Sequence, residues 1–168
     1  WSDDRTGNSE VFYKKLDNMG NTVTNDTQLT NAIYHSRYSD IAIDSYNNIH
    51  IVWYDERNGI LNPEIYYKKL SNNGNILIND TRLTIATRKS LMPQIAIDSN
   101  NNIHLVWYDD RTSAYAYEIY YKKLDNSGNT LINDTRLTFS SYAVLPKLAI
   151  GLNNSVHIVW ADVLNDIY

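Results

Sequence analysis

PQIAIDSNNNIHLVWYDDRTSAYAYEIYYKKLDNSGNTLINDTRLT, residues Pro93 to Thr138, decides the fold, because most of it can be read again elsewhere in the same chain. Ile95 to Asp98 returns as Ile41 to Asp44, EIYYKKL at Glu118 to Leu124 returns at Glu64 to Leu70, and NDTRLT at Asn133 to Thr138 returns at Asn79 to Thr84. Trp1, Trp53, Trp107 and Trp160 mark four successive copies. A period of about 53 residues belongs to propellers and solenoids, whose units each need neighbours to cover their apolar faces. Function is therefore to be sought in what differs between copies.

Within the unit the patterning is that of strands. Gln94 to Asp98 is a short apolar strand, A, followed by an Asn-rich turn. Ile103 to Asp109 is strand B, with apolar residues on both faces, as expected of a strand covered on both sides. Glu118 to Leu124 is strand C, and a turn through Asn126 and Gly128 leads to strand D at Thr130 to Thr138. Nothing has helical period. The predicted class is all-β: β-propeller blades of four antiparallel strands, about three blade equivalents in all. A half-blade at 1–30 is followed by blades at 40–84 and 94–138 and a half-blade at 147–168. Innermost strands are expected at Asp40 to Asp44, Gln94 to Asp98 and Lys147 to Gly151.

The order IAID, NNIHIVWYDxR, EIYYKKL, DNxGNT, DTRLT resembles the BNR or Asp-box repeats of sialidase-like propellers, in which an S-x-D-x-G-x-T-W turn joins strands C and D. The resemblance spans essentially the whole chain. Leu124, Asn126, Gly128, Thr130 and Leu131 stand at the Ser, Asp, Gly, Thr and Trp of that box. The Gly and Thr survive at Gly20 and Thr22, and the Gly at Gly74, while the box Asp and Trp do not. The resemblance implies the propeller fold. It would also imply an arginine triad, a Tyr and Glu nucleophilic pair and an Asp acid/base, but no unique positions in this sequence carry that set.

Composition narrows the classes. The 168 residues are 43% apolar, enough for a packed core, and no apolar run approaches the roughly 18 residues needed to span a bilayer. Fifteen basic against nineteen acidic residues give a net charge of −4 without a basic stripe, which argues against nucleic acid as partner. Cysteine is absent, so disulfides and thiolate metal sites are excluded. No cofactor or metal is expected. Fourteen Tyr and four Trp supply rings with polar tips, suited to half-buried strands and to wet binding surfaces alike.

Recurring residues invite chemical readings that compete with plainer ones. His50, His104 and His157 share one place in strand B; a metal ring would need them to converge, whereas packing or a hydrogen bond to a neighbouring blade needs nothing more. The W-x-D-x-R motif at Trp1, Trp53 and Trp107 lacks its Arg after Trp160, where Val163 and Leu164 follow. Burying a Trp removes roughly 150 to 250 Å² from water, a gross gain of about 4 to 6 kcal/mol, so packing between blades accounts for it, with Asp and Arg fixing the B to C turn. Asn25, Asn79, Asn133 and Asn153 begin N-glycosylation sequons, the first three explained equally by duplication of one turn.

In an up-and-down blade the B to C turns and D to A links emerge on one face, and here that face is the variable one. The links expected at Asn31 to Ser39, Ile85 to Met92 and Phe139 to Leu145, with the loops Asn58 to Pro63 and Thr112 to Tyr117, present candidate ligand residues Tyr34, Arg37, Tyr38, Arg88, Lys89, Tyr115, Tyr117 and Tyr142. These suggest a non-catalytic extracellular or cell-surface binding or adhesion module for carbohydrate or a glycosylated surface. The alternatives are a structural surface-assembly or filament subunit and a sialidase-like glycoside hydrolase. The two end half-blades are complementary: strand C at Glu10 to Leu16 exposes its inner edge and strand B at Val156 to Asp162 its outer edge. The expected partner is therefore a second copy joined head to tail, as a closed dimer or a filament, or the rest of a longer propeller chain. Asp166 to Tyr168 repeats the start of strand C and would compete with Glu10 to Phe12 in such a joint.

Overall fold

The computed structural model describes residues 1–140 and 142–162, and the regular structure among them is entirely β. The chain opens with β1 (Ser2–Asp3), β2 (Glu10–Leu16) and β3 (Thr22–Gln28) in one antiparallel sheet. A four-stranded sheet follows, built from β4 (Ser36–Ile43), β5 (Ile49–Asp55), β6 (Glu64–Leu70) and β7 (Ile76–Arg82) in that spatial order. β8 (Ser90–Ile97), β9 (Ile103–Asp109), β10 (Glu118–Leu124) and β11 (Thr130–Arg136) repeat it, and β12 (Ala143–Ile150) with β13 (Val156–Asp162) form the start of another. These are propeller blades, two whole and two partial.

The sheets bury one another, which is why strands B and C are apolar on both faces. Val52, Tyr54, Ile65 and Tyr67 of the second blade pack against Ile95, Ile103, Leu105 and Trp107 of the third. Val11 and Tyr13 of the first pack in the same way against Ile49, Ile51 and Trp53 of the second. Strands β5 and β9 are buried along their whole length, as units that depend on neighbours require. Polar bonds add register between blades: Lys15 Nζ and Lys69 Nζ reach Asn72 and Asn126 in the C to D turn of the following blade. Ser45 and Asn101 bond each other across the same interface as Lys69 and Asn126.

Turn chemistry sets the strand ends. Asp44 accepts from the amides of Tyr46 and Asn48 and from the Asn48 side chain, while Asn47 takes φ 63° between them. Asp98, Asn101 and Asn102 repeat the arrangement. The C to D turns are built alike, with Asp17 and Asp125 as acceptors and Gly20 and Gly128 left-handed at φ 86° and 85°. The acid that organises these turns thus stands one residue before Asn18 and Asn126, the places an Asp-box would give its Asp.

Three expectations need correction. The innermost strands begin four residues earlier than predicted, at Ser36, Ser90 and Ala143, so Arg37 and Tyr38 lie in β4 and not in a link. Each of these strands carries a bulge, with register shifts between Arg37 and Asp40, Leu91 and Gln94, and Val144 and Lys147. An extra residue breaks the two-residue alternation, which hides the strand from pattern reading. Strand D is shorter than predicted, ending at Arg82 and Arg136, because Thr84 and Thr138 turn inward to buried glutamates. Finally, the inner edge of β2 is not open throughout, since β1 pairs Ser2 with Val11 and Asp3 with Glu10. Among the described residues β13 pairs with β12 only, and Trp160 is 46% exposed where Trp53 is 0%. Asp166 to Tyr168, proposed as competitors in a joint, lie outside the described residues.

Candidate functional site

The bulges have a geometric product. Tyr38, Met92 and Leu145 occupy the same step of three successive inner strands and all take left-handed backbone angles, φ 52°, 49° and 54°. Such angles cost a non-glycine residue on the order of 1 kcal/mol or more, so they persist only where the surroundings enforce them. All three side chains line one cavity of about 350 Å³ on the inner side of the blades, together with Ser39, Gln94, Pro146 and Lys147. This open hollow combines apolar surface with a phenol, a hydroxyl, an amide and an ammonium group, the mix expected of a site for a polar ligand with apolar faces.

Its walls are braced. The Tyr38 ring stacks on Tyr54 with centroids 5.6 Å apart and planes at 21°. Burial raises the Tyr54 phenol, and a hydrogen bond from Arg37 partly opposes that. Asp40, Gln94 and Lys147 stand on equivalent rungs, opposite Val52, Val106 and Val159. Lys147 Nζ donates to Gln94 Oε1 at 2.6 Å, and Asp40 accepts from the Ile95 amide of the next blade at 2.9 Å and from the Ile41 amide at 3.0 Å. The carboxylate is thereby held as a tie between blades.

The eight candidate ligand residues are not gathered in one place. Tyr38 lines the cavity, and Arg37 precedes it in β4. Exposed Tyr34 lies on the link before β4, while Arg88 and Lys89 lie on the link before β8. Tyr115, 71% exposed, belongs to the loop after β9. Tyr117 meets Tyr108 edge-on at 5.1 Å and bridges through its backbone to Tyr142. Burial, with Tyr117 second, pushes the Tyr108 phenol up to about 12. Sequence reading missed Gln94 and Lys147, assigned to the scaffold strands, and Met92, Leu145 and Pro146, which carry no chemical signal. Asn25, Asn79 and Asn133 are exposed on the outermost strands and Asn153 in the final turn, all apart from the cavity.

The recurring motifs serve the scaffold. Trp53 Nε1 donates to Asp55 Oδ2 at 2.8 Å, Arg57 grips both Asp55 oxygens and reaches Asp80, and its guanidinium lies 4.5 Å from the Tyr66 ring centre. Trp107, Asp109, Arg111 and Asp134 repeat this over Tyr120. Burial would raise the Asp55 carboxyl, but bonds from Arg57 and Trp53 outweigh it and hold it low. Of the two plain roles expected for the strand B histidines, packing or a hydrogen bond to a neighbouring blade, buried His50 takes the first. Its Nε2 faces Asp44 at 3.1 Å and its Nδ1 faces the Tyr67 hydroxyl at 2.9 Å, both in its own blade. His104 has the same partners in Asp98 and Tyr121. An anionic Asp44 fixes the proton on Nε2, leaving Nδ1 to accept from Tyr67. In the third copy Gly151 replaces the Asp, and exposed His157 meets Ser155 instead.

Buried glutamates were the larger omission. Glu64, fully buried, accepts from Thr84 Oγ1, from the Ala86 amide at 2.9 Å and from Arg82 at 2.7 Å. Glu10 and Glu118 bond Thr30 and Thr138 in the same way. The constant spacing of each Glu to the Thr closing strand D was the available signal. Among the described residues, no group of three or more His, Cys, Asp or Glu side chains is placed to hold a metal ion.

No family model matches this chain, and no curated protein sequence does. Solved structures do. An endo-arabinase from Bacteroides thetaiotaomicron VPI-5482 superposes with TM-score 0.61 at 12% identity, covering 95% of this chain and 63% of that one. A thermostable family-43 glycoside hydrolase gives 0.58 at 10% identity, again covering 95% and 63%. An α-L-arabinofuranosidase from Lactobacillus brevis gives 0.57 at 12%, covering 98% and 59%. The chain thus spans about three-fifths of the length of the structures it matches. At such identities the likeness establishes the β-propeller fold. The expectation of a non-catalytic adhesion module is corrected to this extent, that the three structures named are an endo-arabinase, a glycoside hydrolase and an arabinofuranosidase, not adhesion modules.

Proposed function

We propose that these blades belong to a glycoside hydrolase acting on extracellular glycan, with the cavity on the inner strands as part of the groove that holds the sugar chain. The observation that carries the reading is the cavity itself, into which three successive bulges turn Tyr38, Met92 and Leu145. The shared fold with an endo-arabinase, a family-43 hydrolase and an arabinofuranosidase supports it. Tyr38 offers a ring face to a sugar ring, and Ser39, Gln94 and Lys147 offer hydrogen bonds.

Glycosidic cleavage ordinarily needs two carboxyl groups flanking the bond. Among the described residues, those lining the cavity include no carboxylate, and Asp40 beside it is engaged with two backbone amides. In this reading the residues that line the cavity bind and orient the chain, and the acid pair lies outside the cavity. A finer kinship, with Asp-box sialidase-like propellers, rests on the order of motifs along the repeat and on Gly20, Gly74 and Gly128 of the C to D turns. Sialosides therefore join arabinans in the substrate panel.

The test is release of sugar from arabinan, an aryl arabinofuranoside and a fluorogenic sialoside by the protein. Turnover of at least one is expected, and Tyr38→Ala should lower kcat/KM by about tenfold, the loss of one stacked ring face. Absence of turnover on every glycan in the panel by folded protein counts against the reading.

A further inference from the structure

The basic residues divide into two populations. Those of strands C and D and of the B to C turns, apart from Lys15 on neutral Asn72, are neutralised in place: Arg57 and Lys68 by Asp80, Arg111 and Lys122 by Asp134, and Arg82 and Arg136 by buried glutamates. Lys69 and Lys123 likewise meet Asp44 and Asp98, and Arg5 and Lys14 meet Asp26. Arg37, Arg88, Lys89 and Lys147 form no ion pair among the described residues. All four lie on an inner strand or on the link that leads into one. In a chain with net charge −4, four of the five cations without an ion pair among the described residues share one structural position.

Two of them bear directly on the cavity. Lys147 lines it, and its ammonium group touches a neutral partner, Gln94 Oε1 at 2.6 Å, where an anion would be the stronger one. Arg37 stands directly across the strand pair from Tyr54, on whose ring the cavity-lining Tyr38 is stacked. The nearby carboxylate, Asp40, spends both oxygens on backbone amides.

We propose that the cavity takes an anionic sugar unit, with its carboxylate or sulfate on Lys147 and the Gln94 amide and its ring face on Tyr38. This rests on the glycoside-hydrolase reading and narrows it to glycans that carry acidic residues. The Lys147 ammonium exchanges a neutral acceptor for a charged one on binding, and Gln94 turns its NH₂ toward the same anion. Arg37, Arg88 and Lys89 add an attractive field whose reach falls within about 10 Å at 0.1 M salt.

The test is calorimetric titration of the protein with three oligosaccharides of matched length: an oligogalacturonate, a sulfated neutral oligosaccharide and an unmodified arabino-oligosaccharide. At least one anionic sugar should bind about tenfold tighter than the neutral one, with affinity falling as salt rises. Whether the carboxylate or the sulfate gives the tighter complex identifies the source of the charge. Lys147→Gln should abolish the preference, bringing the affinity for the anionic sugars down to that for the neutral one; since Lys147 is exposed, an unchanged thermal midpoint will show the variant folded. Equal affinity for all three sugars, no binding of either anionic one, or a preference that survives in Lys147→Gln overturns the proposal. Arabinan hydrolysis in the same preparation separates the two failures: turnover without anionic preference leaves the enzyme reading standing and removes this one.

Discussion

Single side chains in this protein divide by burial, and the division predicts what each substitution does. Glu64→Ala deletes a buried acceptor of four donors, taking away the partner of Arg82 Nη2, Thr84 Oγ1 and the Ala86 amide and one partner of Ser90 Oγ. A loss of about 3 kcal/mol is expected, read as a lower urea midpoint. Titration gives a second expectation. Burial would raise Asp44, but bonds from Asn48, His50 and Asn126 outweigh it and depress its pKa; Asp98 follows the same pattern. Burial depresses His50 and His104, with Asp44 and Asp98 opposing. In each case the unfolded chain binds more protons than the folded one in the acid range, so stability falls as pH falls. The histidine contribution is lost below about 6.5 and the aspartate contribution below about 4, so the urea midpoint should decline in two stages. A midpoint that rises between pH 7 and 5 contradicts this. These roles were half legible: the repetition of W-x-D-x-R and of the strand B histidines pointed to structure, but the fixed spacing of Glu64 to Thr84 went unread because neither residue type advertises a core.

At the level of strands and turns, the repeat makes legible what obeys simple periodicity. Strands B and C fall on the predicted residues, since they alternate without interruption and end at turns rich in Asn, Asp and Gly. Strand A was found only in part, because its bulge changes which face each side chain meets, and the same bulge creates the cavity that pattern reading could not foresee. Residue type marks Tyr38 as a ligand candidate, whereas nothing in the pattern of its strand marks Lys147 as more than scaffold. The turns permit a clean test at exposed Asn47, where φ is 63°. Asn47→Gly should leave the thermal midpoint nearly unchanged, while Asn47→Val, a branched residue forced into the left-handed region, should cost about 1 to 2 kcal/mol. Equal effects of the two substitutions would show that the turn does not hold this geometry in solution.

Taken whole, the molecule is an arc of blades whose interfaces repeat and whose last sheet is incomplete among the described residues. Trp160 and Val159 are 46% and 66% exposed, whereas a C to D hairpin and a further blade cover Trp53 and Val52 completely. Such an edge is expected to take up a hairpin, from another copy or from a further stretch of the same chain. Light scattering of the 168-residue chain at micromolar concentration should then report a species larger than one chain, and a compact monomer would remove self-complementation as the means of closure. The functional claim concerns the inner side of the same arc. Diversity sits there, on bulged strands with unpaired cations, while the A to B and C to D turns repeat almost unchanged. The most direct test is a crystal structure of the protein with a bound acidic oligosaccharide. A sugar ring on Tyr38 with its anionic group at Lys147 is expected, and a sugar seated instead on the outer strands β7 and β11, with the inner cavity holding solvent, would contradict it.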